Sequence, residues 1–173
     1  MSEERRFERV SVERKVGVAV DFSPCSKKAL LWAVENVVRS GDHVVLVNVQ
    51  PPANYEEGEM QLWETTGSPF IPLREFADPA VIKKYGVRPD KDTLDALTHA
   101  AKEKEIVIVM KIFWGDPREK ICEAIEKIPL NFIMVGSRGH STIKRILLGS
   151  VSDYIVHSAA CPVTVVKINE HEV

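Results

Sequence analysis

The sequence predicts a single α/β domain built on a five-stranded parallel sheet with helices on both faces. Three observations predict it. The strand candidates are short, nearly solid apolar runs such as Val16–Val20 and Val44–Val49, the pattern of strands covered on both sides. They alternate with segments of helical periodicity, which calls for right-handed crossovers and a parallel sheet. A length of 173 residues suits one core and would leave two cores small.

Residues 1–14 carry Glu3, Glu4, Arg5, Arg6, Glu8 and Arg9 and read as a solvated, mobile N-terminal arm. No apolar h-region follows them, which argues against a secretory signal. The first strand, Val16–Val20, ends at Asp21. Ser23-Pro24 then opens a helix, serine as N-cap and proline at the first helical position. This helix runs to about Arg39 on a stripe of Leu30, Leu31, Val34, Val37 and Val38, and Gly41 ends it. Val44–Val49 is the second strand, closed by Pro51 and Pro52.

Residues 53–89 form an insertion with several prolines, and a stretch this long inside a compact domain is usually functional or partly disordered. Within it, Asp78-Pro79 opens a short helix through Tyr85 that Gly86 stops. Asp90 or Asp92 caps the next helix, which carries Leu94, Leu97 and Ala101. Ile106–Phe113 is the third strand. Asp116-Pro117 starts a helix with Ile121, Cys122, Ile125 and Ile128 on its buried face, ended by Pro129. Phe132–Val135 is the fourth strand, Gly149 to about Ala159 the last helix, and Val163–Ile168 the fifth strand before a tail of residues 169–173. The globular domain is thus 15–168.

Charge and composition narrow the function. Lys and Arg total 23 against 25 Asp and Glu, a net charge of −2, so no global basic field favours a nucleic-acid partner. The apolar runs are too short to span a bilayer. Cys25, Cys122 and Cys161 are odd in number and far apart, which fits reduced thiols in the cytoplasm. His43, His99, His140, His157 and His171 form no metal pair at helical spacing. His140 lies in the loop discussed next and is the one histidine placed to assist chemistry there.

In sheets of this kind ligands bind beyond the carboxyl ends of the strands. Gly136-Ser137-Arg138-Gly139 directly follows the fourth strand, and nine residues later Gly149-Ser150 leads through Val151-Ser152 into the last helix. Written as a pattern this is G-x2-G-x9-G-S. Glycines there let the chain turn off a buried strand and bring bare main chain to a ligand. A helix start offers N–H groups with no intrahelical partner and the positive end of the helix dipole, an anion site suited to phosphate. Ser150 and Ser152 add hydroxyls on the same turn. Neither G-x-x-x-x-G-K-[ST] nor G-x-G-x-x-G after the first strand occurs.

These residues resemble the nucleotide-binding branch of the universal stress protein family. The likeness runs from Lys15 to Ile168 and rests on Val18-Ala19-Val20-Asp21-Phe22-Ser23, the two glycine segments and the closing Cys161-Pro162-Val163-Thr164-Val165-Val166-Lys167. It implies a Rossmann-like sheet in the order 3-2-1-4-5, binding of AMP or ATP, a homodimer paired through the last strand, and a role in stress responses. The insertion, with Trp63, resembles plant members.

By this resemblance Asp21 would accept hydrogen bonds from ribose hydroxyls, Val49 would meet the adenine edge through its backbone, and Ala19 and Val20 would wall the base. Val135, Gly136 and Gly139, with Gly149, Ser150, Val151 and Ser152, would hold ribose and phosphates, and Arg138 would add charge. Two alternatives stand beside a binding protein of signalling type. One is a slow adenine-nucleotide hydrolase with Mg²⁺ on the phosphates and Asp21 or His140 assisting, and the other is a dimerisation scaffold with a vestigial site.

Overall fold

Valine-rich runs set the sheet, because β-branched side chains pack well on a pleated surface buried on both sides. The computed structural model describes residues 13–52, 59–137 and 149–167. In chain order the elements are β1 (Lys15–Ala19), α1 (Pro24–Asn36), β2 (His43–Gln50), α2 (Glu59–Thr66), β3 (Ile71–Pro72), α3 (Pro79–Tyr85), α4 (Lys91–Lys104), β4 (Val107–Trp114), α5 (Pro117–Lys127), β5 (Phe132–Gly136), α6 (Ser150–Ser158) and β6 (Val163–Val166). A 3-10 turn, Leu73–Glu75, follows β3.

The sheet order is β3-β4-β2-β1-β5-β6. The five expected strands are all parallel and keep the order 3-2-1-4-5 among themselves. The sheet as a whole nevertheless has six strands and is mixed, which corrects the five-stranded parallel expectation. The insertion returns a two-residue strand antiparallel to β4, pairing Ile71 with Met110 and Pro72 with Val109. Ser68 prepares that approach: its N–H donates to the Ile112 carbonyl at 2.7 Å and its Oγ accepts from the Ile112 N–H at 2.8 Å. The insertion thereby covers backbone groups that an edge strand would leave unpaired.

Two cores flank the sheet. On one face α1, α4 and the insertion bury Leu30, Val34, Phe76, Leu97, Ile112 and Trp114. On the other, α5 and α6 bury Val45, Val47, Phe113, Ile121, Ile133 and Ile155. Trp63 of α2 stacks on Trp114 at 6.4 Å between ring centroids, with Tyr85 of α3 5.4 Å from Trp63, so the insertion is a packed part of the first face.

Local cap chemistry accounts for most helix starts. Ser23, Asp78, Asp90 and Asp116 each accept a backbone N–H of the first turn that follows. The first helix ends at Asn36 rather than near Arg39. Its exit is held by Lys104, whose ammonium reaches the Val34 and Glu35 carbonyls, and by Asp42, which accepts from the Arg39 N–H at 2.8 Å. Asp42 also pairs with the Arg14 guanidinium, Nε to Oδ1 at 2.9 Å, so Arg14 is anchored at the end of the segment expected as an arm. Among the described residues no helix is long and apolar enough to cross a membrane.

Candidate functional site

The carboxyl ends of β1, β2 and β5 converge with the N-termini of α5 and α6 on one cleft. It encloses about 130 Å³, and about 790 Å³ counting its open mouth. Ala19, Val20, Val47 and Val49 form its apolar base, and Pro117 and Ile121 of α5 form one wall. Val135, Gly136 and Ser137 lie at the end of β5, facing the start of α6. An apolar slot with a few polar groups at its rim suits a flat heterocycle carrying a polar tail.

The exit from β1 is held tightly. The Val20 N–H donates to the Val47 carbonyl at 2.9 Å, and the Val20 carbonyl accepts from Asn48 Nδ2 at 2.9 Å. Phe22 then takes a left-handed conformation, φ 57°, uncommon for a bulky residue and sustained only where the surroundings enforce it. Between these two points sits Asp21. Its N–H donates to Ser26 Oγ at 3.0 Å, and its Oδ1 accepts from the Ser23 N–H at 2.9 Å. Asp21 thus steadies the turn into α1 and also lines the cleft.

Across the cleft, α6 begins differently from its neighbours. Its N-cap is Gly149, φ −57° and ψ 156°, and among the described residues no side chain caps the helix. Glycine brings no side-chain oxygen to the first-turn N–H groups, and residues 149–152 line the cleft at this positive end of the helix dipole. Ser152, buried one turn in, turns its hydroxyl back to donate to the Gly149 carbonyl at 3.0 Å, while Ser150 is exposed at the rim. The cleft is therefore apolar at its base, with a carboxylate at the end of β1 and the start of a helix at α6.

A family model described as the universal stress protein family matches residues 13–167. The chain belongs to that family. It is 37% identical over 167 residues to the universal stress protein PHOS32 of Arabidopsis thaliana and 36% identical over 168 residues to PHOS34 of the same plant. Each match covers 89% of this chain, which spans 64% and 62% of the length of those relatives. A crystal structure of an Arabidopsis thaliana universal stress protein family member with AMP bound superposes with a TM-score of 0.57 at 25% identity, covering 92% of this chain and 94% of that one.

In this universal stress protein, ten of the residues expected at the site line the one cleft: Ala19, Val20, Asp21 and Val49 on the strand side, Val135 and Gly136 at β5, and the run 149–152 at α6. Arg138 and Gly139 lie outside the described residues, as do His140, Lys144 and Arg145. Packing alone requires Gly136 to be small. A Cβ on it would stand 3.1 Å from the Ala29 Cβ and 3.7 Å from the Cys25 carbonyl, so it admits α1 against the strand end. Ser23, Cys25, Ser26, Pro117, Ile121 and Ser137 also line the cleft, although the loop pattern did not single them out. The Pro at the start of the helix after β4 was the available signal for the α5 wall.

Asp116 does not join Asp21. It caps α5 and accepts from Arg118 three times, from the backbone N–H at 2.9 Å, from Nε at 3.2 Å and from Nη2 at 2.8 Å, and the Arg118 hydrogen bonds hold its carboxyl below the usual range. His43 faces Glu13, with Nε2 to Oε2 3.5 Å, and His157 Nδ1 lies 2.8 Å from the Asp153 carbonyl, both away from the cleft. Among the described residues no three His, Cys, Asp or Glu side chains group as a metal site.

Proposed function

We propose that this protein binds an adenine nucleotide, AMP or ATP, in the cleft at the carboxyl end of its sheet and acts in stress response or signalling. One observation carries the reading: a single cleft gathers an apolar slot, the Asp21 carboxylate and a helix start with Gly149 as its N-cap. Ala19, Val20 and the Val49 backbone take the base, and Asp21 accepts from the ribose hydroxyls. The N–H groups of the α6 first turn, with Ser150 and Ser152, take the phosphates. Val135 and Gly136 border the ribose, and Arg138 and Gly139 complete the phosphate side. The AMP-bound relative, whose fold this chain shares over most of its length, supports the choice of ligand.

The role is one of holding rather than turnover, with Asp21 as the ribose acceptor. The family fold also supports a homodimer paired through β6, where Val163, Thr164 and Val165 are half-buried. Three free cysteines support a reducing compartment, read here as the cytoplasm.

The test is direct. Purified full chain is denatured, and the released small molecules are identified by mass spectrometry. AMP or ATP in near-stoichiometric amount is the expected result. A stripped chain titrated with AMP should gain about 2.7 kcal/mol of stability at 100 times the dissociation constant. No released nucleotide, together with a melting temperature that neither AMP nor ATP raises, would overturn the reading.

A further inference from the structure

Asn48 sits inside the valine run of β2 and is 1% exposed. A buried amide among apolar side chains is costly unless its polar atoms are met. Both ends of this one are met: Nδ2 donates to the Val20 carbonyl at 2.9 Å, and Oδ1 accepts from Gln50 Nε2 at 2.7 Å. Strand alternation puts Val47 and Val49 on the cleft side and Asn48 and Gln50 on the opposite side. There, Asn48 is in register with Ile112 and Gln50 with Trp114, the residue on which Trp63 of the insertion stacks.

The Val20 carbonyl belongs to the peptide unit that leads into Asp21. Fixing its oxygen fixes the plane of that peptide and so the direction of the Asp21 N–H, which Ser26 Oγ accepts from the other side. The left-handed Phe22 follows immediately, so the turn would relax elsewhere without such restraint.

We propose that Asn48 and Gln50 are positioning residues for Asp21, a relay through which the insertion sets how well the cleft reads ribose hydroxyls. The proposal rests on the nucleotide reading above. Preorganised acceptors discriminate best because a misplaced carboxylate gains little from the hydroxyls it should bind.

The test titrates the full chain calorimetrically with AMP and with 2′,3′-dideoxy-AMP. Wild type is expected to prefer AMP about tenfold or more. Asn48→Leu should weaken AMP about tenfold and leave the dideoxy compound unchanged, bringing the ratio near one. Gln50→Met should lower the ratio part of the way. Asn48→His, which keeps an N–H donor on a short planar side chain, should restore it. A purely structural role would weaken both nucleotides alike, and an unchanged ratio would overturn the relay. If Asn48→Leu does not fold, the ratio for folded Gln50→Met decides in the same way. Wild type that binds neither nucleotide would overturn the nucleotide reading itself and the relay with it.

Discussion

Gly149→Asp should move stability and affinity in opposite directions. At φ −57° and ψ 156° the Gly149 backbone matches the caps Ser23, φ −65° and ψ 160°, and Asp90, φ −73° and ψ 159°, so an aspartate fits without strain. Its carboxylate would accept from the first-turn N–H groups of α6. Asp in place of Gly at an N-cap contributes a few tenths of a kcal/mol, and its charge at the helix start about 0.3–1 kcal/mol more. The ligand-free protein should therefore melt slightly higher. A phosphate arriving at the same amides would meet those donors engaged and a like charge at about 4 Å, a repulsion of about 4 kcal/mol at an effective dielectric constant of about 20. Half of that, added to the lost hydrogen bonds, already lowers AMP affinity about 100-fold. Thermal melts with and without AMP, paired with calorimetric titration, read both effects. AMP affinity equal to wild type in a variant with a raised melting temperature would show that the start of α6 does not hold the phosphate.

Three further outcomes follow from packing and charge. Gly17→Ala should destabilise the domain by about 1–3 kcal/mol in urea titration, because the added methyl meets the Leu130 side chain and stands 3.2 Å from Ile133 Cγ1 on a buried strand. An unchanged midpoint would mean that Leu130 yields freely. Glu105 ends α4 in the left-handed region at φ 53°, so Glu105→Gly should raise stability by up to about 1 kcal/mol, and a loss would count against that backbone strain. Burial raises the Asp42 pKa, but the Arg14 hydrogen bond and the Arg39 N–H outweigh it and leave the carboxyl below its ordinary value. A depressed folded pKa means stability present above about pH 4 and lost as pH falls through the lower folded value. Melting temperatures followed from about pH 6 down to about pH 2 should fall less steeply for Asp42→Asn than for wild type, and parallel curves would remove Asp42 from the acid limb.

Helix starts were legible in the sequence because cap chemistry is complete within three residues. Ser23-Pro24, Asp78-Pro79 with Gly86, Asp90 and Asp116-Pro117 all stand where their residue types require. β3 was not legible, since two residues have no period and one of them is proline. α2 has Trp63 as its one clearly buried side chain among those described, too little for a helical stripe.

At the site, Asp21, Val49 and the run from Gly149 to Ser152 could be found as strand ends and a helix start. Ser26 and Ile121 could not, because only the packing of α1 and α5 against the sheet brings them to the cleft. At Gly136 the sequence could not show that a neighbouring helix, through Ala29, also needs the missing side chain. Asn48 carried no local signal, since its partner at Val20 is 28 residues away.

The two flanks of the sheet are unequal. On one side Pro72 has no N–H to offer a further strand, and β3 is too short to template one. On the other, β6 presents four consecutive residues, Val163 to Val166, beyond which the described chain adds no strand. Among the described residues, growth by strand addition is thus open on one side. A twofold mate docking there would consume the growth front of both copies at once, and a third arrival would find only blunt ends, so such assembly terminates at a pair instead of running on into a filament.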